Sequence, residues 1–128
     1  MSKNSQPCLF CNPPKGRIVA ENEIAYAMWD GFPVTEHHAL ITPKRHVEDY
    51  LMLNNEETLA CKSLLEIVAD QIKIKDPTVT AFNIGMNCGA DAGQTIFHCH
   101  VHLIPRRQGD VEEPRGGIRH LIPGKGSY

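Results

Sequence analysis

The sequence predicts an α+β domain, an antiparallel sheet with one long helix packed on one face. Three observations carry that reading. Five short β-prone runs are bounded by turn residues, one stretch (residues 55–74) has helical apolar spacing, and their order is β-β-β-α-β-β. Pro13-Pro14-Lys15-Gly16 reads as a turn ahead of the first strand. Residues 17–20 and 24–29, separated by Glu21-Asn22-Glu23, read as a hairpin. Asp30-Gly31-Phe32-Pro33 breaks the chain, and residues 38–42 form a third strand ended by Pro43. Asn54 is a suitable N-cap, with Glu57 completing a capping-box pattern. Behind it Cys61, Leu64, Leu65, Val68 and Ile72 recur at helical spacing. Residues 78–84 read as the fourth strand, residues 87–94 as a Gly-rich loop, and residues 96–104 as the fifth strand.

The chain has 128 residues, enough for one domain and too few for two. Apolar residues make up 41% and charged residues 22%, which excludes a disordered chain. The net charge of −2 argues against a general nucleic-acid binder, which needs a basic excess. The longest apolar run, residues 24–29, is too short to span a membrane. Residues 1–6 are polar and lack a secretory apolar segment, so the expected location is the cytosol.

Five cysteines is an odd count, and only Cys8 and Cys11 are close in sequence. A disulfide framework does not fit that spacing, and a reducing compartment does. Cys61 and Cys99 fall in helix and strand patterns, where free cysteine packs as a small apolar group. Cys8-x-x-Cys11 has the spacing of a zinc knuckle. A redox pair at this spacing would precede a helix in a βαβ unit, whereas Pro13-Pro14 follows here.

The histidines are His37, His38, His46, His98, His100, His102 and His120. Three of them alternate in Phe97-His98-Cys99-His100-Val101-His102-Leu103-Ile104. On a strand, alternate residues share a face. The pattern therefore expects His98, His100 and His102 in an outward row, with Phe97, Cys99, Val101 and Leu103 toward the core. One metal held by all three is disfavoured, because four strand residues span about 13 Å. Chance histidines on a solvated face would rarely alternate so strictly behind a Gly-rich loop.

From Pro105 onward the chain is rich in Gly and Pro, with five basic residues against three acidic ones. Residues 105–128 read as an irregular tail. Such a tail either covers surface or folds over a phosphate site.

The segment from Gly93-Gln94-Thr95 through His98-Cys99-His100-Val101-His102-Leu103-Ile104 to Pro105-Arg106 resembles the signature of the histidine-triad (HIT) family. Similarity extends to Cys8-Leu9-Phe10-Cys11, to Trp29-Asp30 and to His38-Ala39-Leu40-Ile41-Thr42-Pro43-Lys44-Arg45-His46. Thr95, where many members have Ser, and Cys99 at an apolar position are small departures. The tail is similar to that of some bacterial dinucleoside polyphosphate hydrolases of the family.

The resemblance implies one HIT domain over residues 1–128, with a five-stranded sheet, one long and one short helix. It also implies a homodimer whose sheets join into ten strands through the helix and the fourth strand. The implied activity is hydrolysis at the α-phosphate of a small nucleotide, a dinucleoside polyphosphate or a nucleoside phosphoramidate. A phosphorylase or nucleotidyltransferase, or a nucleotide-binding module with little turnover, are the alternatives. His100 would be the nucleophile, with neutral Nε2 attacking phosphorus while Nδ1–H is held by an acceptor. His102, Gln94 and Thr95 would donate to phosphate oxygens. Asn87 and Gly93 match positions near the phosphates, Asp30 a ribose-binding acid, and His38 a histidine behind the triad. Zinc-containing members use residues matching Cys8, Cys11, His46 and His98, a closed shell for a structural ion. Arg106, Arg107, Arg115 and Arg119 are the expected partners for distal phosphates.

Overall fold

The computed structural model describes residues 7–128. The polar segment 1–6 lies outside the described residues, and with it the expectation drawn from its composition. Five strands and one α-helix form in the expected order: β1 (Ile18–Glu21), β2 (Ala25–Trp29), β3 (Ala39–Pro43), α1 (Asn55–Lys75), β4 (Val79–Gly85) and β5 (Val101–Arg107). The sheet runs β1-β2-β3-β5-β4 and is antiparallel throughout. The short helices are 3-10 in type, among them Tyr50–Met52 and Gly117–Leu121.

Helix α1 starts where its cap dictates. The Asn54 side chain accepts from the Glu57 amide at 2.8 Å, and Glu57 accepts from the Asn54 amide at 3.0 Å. Cys61, Leu64, Val68 and Ile72 face the sheet and are buried against Ala25, Ala27, Ala39, Ile41, Val101 and Leu103. Alanines at three of those sheet positions let the helix sit close to β2 and β3. The buried thiols behave as packing groups. Burial pushes Cys61 up to about 11 and Cys99 up to about 12, so neither forms a thiolate near neutrality.

The fifth strand departs from the sequence expectation. It begins at Val101 rather than at residue 96, so His98 and His100 precede the strand. The cause is local hydrogen bonding. The Cys99 amide donates to Val47 O at 2.7 Å, and the Thr42 hydroxyl donates to Cys99 O at 2.6 Å. Those partners replace a ladder and turn residues 96–100 out of the sheet. The strand also runs past Pro105, which the sequence reading took as its end. β3 pairs with β5 only as far as Leu103, so the absent proline N–H interrupts no bond there.

Two registers position the site. Leu40 lies opposite His102 across β3 and β5, and Gly85 lies opposite His102 across β4 and β5. The end of β4 and the loop that follows thus meet the triad.

Candidate active site

The three histidines do not form an outward row. His98 is fully buried, whereas His100 and His102 are partly exposed. The break in strand geometry before Val101 turns His98 inward, toward Cys8, Cys11 and His46. Donor atoms of these four residues all lie within 4.8 Å of one another. Cys8 Sγ is 3.5 Å and Cys11 Sγ 3.6 Å from His98 Nδ1, Cys11 Sγ is 3.2 Å from His46 Nδ1, and the two imidazole nitrogens are 3.2 Å apart. Metal–ligand bonds of about 2.0–2.3 Å make tetrahedral edges of about 3.3–3.8 Å, so the donor set is zinc-sized. His98 Nε2–H donates to Pro43 O at 2.8 Å, which turns the Nδ1 lone pair toward the thiols. Arg45 holds the loop carrying His46 through a bidentate pair with buried Glu57, at 2.8 Å on both arms.

His100 is oriented by the backbone. Its Nδ1–H donates to His98 O at 2.8 Å, leaving Nε2 with a free lone pair. Phe10, from between the two cysteines, stacks on the His100 ring at 4.7 Å and 23°.

His102 takes the opposite tautomer. The Val34 amide donates to His38 Nδ1 at 3.1 Å, so the His38 proton sits on Nε2. That atom faces His102 Nδ1 at 2.9 Å and Asp30 Oδ2 at 3.4 Å. His102 accepts at Nδ1, and its own proton therefore sits on Nε2. Burial, then the nearby His100 and His38, push His102 down to about 4. Burial likewise lowers His38, with Asp30 opposing. The pair is a neutral relay ending in an N–H donor.

These groups border a cavity of about 270 Å³, whose walls include Phe10, Asp30, Phe32, Leu40, Asn87, Gly93, Thr95, His100 and His102. It combines a free imidazole lone pair, several N–H and O–H donors, a carboxylate and apolar walls. Such a set suits a nucleotide, with base, sugar and phosphate each offered a matching surface.

Gln94 is a correction. It is buried, its amide donates to Glu48 O at 2.6 Å and Ile96 O at 3.1 Å, and its oxygen accepts from the Gly89 amide at 2.8 Å. Both amide hydrogens are spent on backbone, so Gln94 holds the loop and donates to no phosphate. The basic tail is a second correction. Arg106 forks onto Asp110 at 2.8 Å on both arms, Arg107 meets Asp76 at 2.9 Å, and Arg115 and Arg119 lie over the Tyr128 ring. Their fixed partners leave none of them aimed at the 270 Å³ cavity.

The HIT domain model matches residues 14–109. The chain belongs to the HIT family. Its fold agrees with a crystal structure of a zinc-bound histidine triad family protein from Mycobacterium smegmatis, at 30% identity and a TM-score of 0.73, covering 81% of this chain and 78% of that one. It is 33% identical to the adenosine 5′-monophosphoramidase of Schizosaccharomyces pombe over 77% of this chain and 74% of that protein. It is 32% identical to an adenylylsulfatase of Arabidopsis thaliana over 80% of this chain and 54% of that longer protein. The HIT family thus includes hydrolases of adenylyl bonds. Among the described residues no helix is long and apolar enough to cross a membrane.

Of the residues singled out from sequence, Cys8, Cys11, His46 and His98 converge on one cluster, and Asp30, Asn87, Gly93, Thr95, His100 and His102 on one cavity. His38 stands behind His102. Phe10 was missed by sequence reasoning, although its place inside Cys-x-x-Cys, facing the triad, was the available signal.

Proposed function

We propose that this HIT protein hydrolyses small nucleotides at the α-phosphate through a covalent nucleotidyl-His100, releasing a nucleoside monophosphate from a dinucleoside polyphosphate or a nucleoside phosphoramidate. The observation that carries this reading is the His100 tautomer. With Nδ1–H given to His98 O at 2.8 Å, the unshared pair is on Nε2, and the ring borders the cavity. His102 Nε2–H and the Thr95 hydroxyl are the donors for phosphate oxygens, and Gly93, without a side chain, lets the phosphate approach that wall. Asp30 receives the ribose hydroxyls, and Asn87 sits toward the leaving group.

The reaction balances simply. His100 Nε2 forms the bond to phosphorus as the bond to the leaving group breaks, and that group departs with the electron pair. Water then cleaves the N–P bond, giving its hydroxyl to phosphorus and supplying the net proton carried off by the leaving group. An anion in place of water would make the protein a phosphorylase, and product analysis separates the two.

The expected structural ion is zinc at Cys8, Cys11, His46 and His98. With four protein donors it would keep no open position, so its contribution is to hold chain segments together. The partner is a small nucleotide.

The decisive experiment is His100→Asn. Turnover of adenosine 5′-phosphoramidate should fall by several decades while AMP still binds. Mass spectrometry of briefly reacted wild-type protein should find one added nucleotidyl group. Near-normal turnover in the variant would sink the covalent mechanism.

A further inference from the structure

The cavity beside the triad has one charged wall that phosphate and ribose binding leave idle. Arg17, immediately before β1, borders it and is its one guanidinium among the described residues. Its Nε–H donates to Trp29 O at 3.1 Å, which anchors the group one residue before Asp30. A Cβ built on Gly31 would lie 3.2 Å from Nη2, 3.3 Å from Nη1 and 3.4 Å from Cζ. Those near-equal distances set the flat face of the guanidinium against Gly31, where a side chain would crowd it. Two contacts thus fix the plane, and the outer edge, Nη1 and Nη2, keeps its N–H donors. Among the described residues no acceptor takes them, and no carboxylate pairs with the group.

The place of that edge along the site follows from its neighbours. Asp30 Oδ2 lies 3.4 Å from His38 Nε2 and 4.0 Å from His102 Nδ1, so the ribose acid adjoins the triad. Gly31 and Phe32 follow Asp30 in the chain, and Arg17 packs on Gly31, one step beyond that acid. Phe32 is 92% exposed, an aromatic ring that nothing in the described fold covers. With Leu9, Phe10 and Leu40 it gives this end of the cavity an apolar lining suited to the flat face of a base.

We propose that Arg17 sets the choice of base, its outer edge donating to O6 and N7 of a 6-oxopurine. The inference rests on the nucleotide-hydrolase reading and names its substrate class: guanine or hypoxanthine nucleotides ahead of adenine ones. Guanine and hypoxanthine carry O6 and N7 side by side, two acceptors that match a two-pronged donor. Adenine keeps N7 but has an amino donor at C6, which opposes one prong. The phosphate stays on the triad side of Asp30, and the base edge meets Arg17 on the other.

Binding tests this without turnover. Calorimetry on the wild-type protein compares GMP, IMP, AMP and 7-deaza-GMP. GMP and IMP should bind about tenfold or more tighter than AMP, as expected for one bidentate pair. The 7-deaza compound, which lacks the N7 acceptor, should lose several-fold against GMP. Arg17→Met, of similar reach and without donors, should bring the GMP-to-AMP ratio close to one while AMP affinity changes little. Equal affinities for GMP and AMP in the wild type overturn the assignment, as does a ratio that survives Arg17→Met. A loss in Arg17→Met shared equally by all four nucleotides also overturns it, since the guanidinium would then serve phosphate or any stacked base. If none of the four binds, the nucleotide reading fails and takes the base assignment with it.

Discussion

His102 is kept neutral by its surroundings, and this has a consequence for stability. Its imidazole is partly buried beside two other histidines, with Asp30 4.0 Å away to compensate. In the unfolded chain an ordinary histidine takes up a proton near pH 6.5. In the fold His102 resists protonation down to about 4. Between those values the unfolded chain binds more protons than the native one, so stability falls as pH falls through the window. Thermal unfolding followed from pH 7.5 to 4.5 should give a declining melting temperature. His102→Gln should flatten part of that decline, and an unchanged slope would refute the assignment. At this scale residue identity was legible and role was only partly so. His98, His100 and His102 look alike in an alternating pattern. What separates them is the hydrogen-bond partner each finds, Pro43 O and His98 O as acceptors for His98 and His100 and the His38 ring as donor to His102, and no periodicity encodes that. Gln94 was misread for the same reason, because its partners are backbone oxygens distant in sequence or hidden in the loop.

Among the elements, the helix was the easiest to read and the segment before β5 the hardest. Asn54 and Glu57 specify a start that depends only on neighbours three residues apart, and the apolar spacing does the rest. The stretch 96–100 has strand composition, yet the Thr42 hydroxyl and Val47 carbonyl, far away in sequence, capture its backbone. The knuckle at Cys8–Cys11 has almost no regular structure of its own. It is tied down by the Tyr26 hydroxyl on Phe10 O at 2.5 Å and by the Phe10 ring against His98 and His100. Three separate segments, residues 8–11, His46 and His98, thus meet at one donor cluster, and an ion held there would fix their mutual position. The purified protein should carry one zinc per chain by elemental analysis. Cys8→Ser or His46→Ala should lower the melting temperature by several degrees. Because Phe10 stacks on His100, either variant should also slow turnover, with AMP affinity less affected. Zinc-free protein of full stability and activity would remove the site.

At the scale of the whole molecule, the sheet is left with two edges, β1 and β4, and they are not equivalent. β1 is four residues long and bulged against β2, features that blunt an edge. β4 is seven residues long, and among the described residues no further strand lies beyond it. Ile84 on β4 is 51% exposed, and α1 presents Leu59, Ile67 and Ile74 outward on one side. An unpaired edge strand flanked by exposed apolar side chains invites a copy of itself, and a twofold axis through β4 would satisfy both copies with one contact. The tail's 3-10 turn reaches only the end of β4, with Gly117 beside Asn83 and Ile118 beside Gly85. The expected assembly is therefore a homodimer in which two β4 strands pair into a ten-stranded sheet. Sedimentation at micromolar concentration should give twice the chain mass. Ile84→Lys, which sets like charges close to the axis, should shift the population to monomer. A wild-type monomer, or a dimer that Ile84→Lys leaves intact, would place the contact elsewhere.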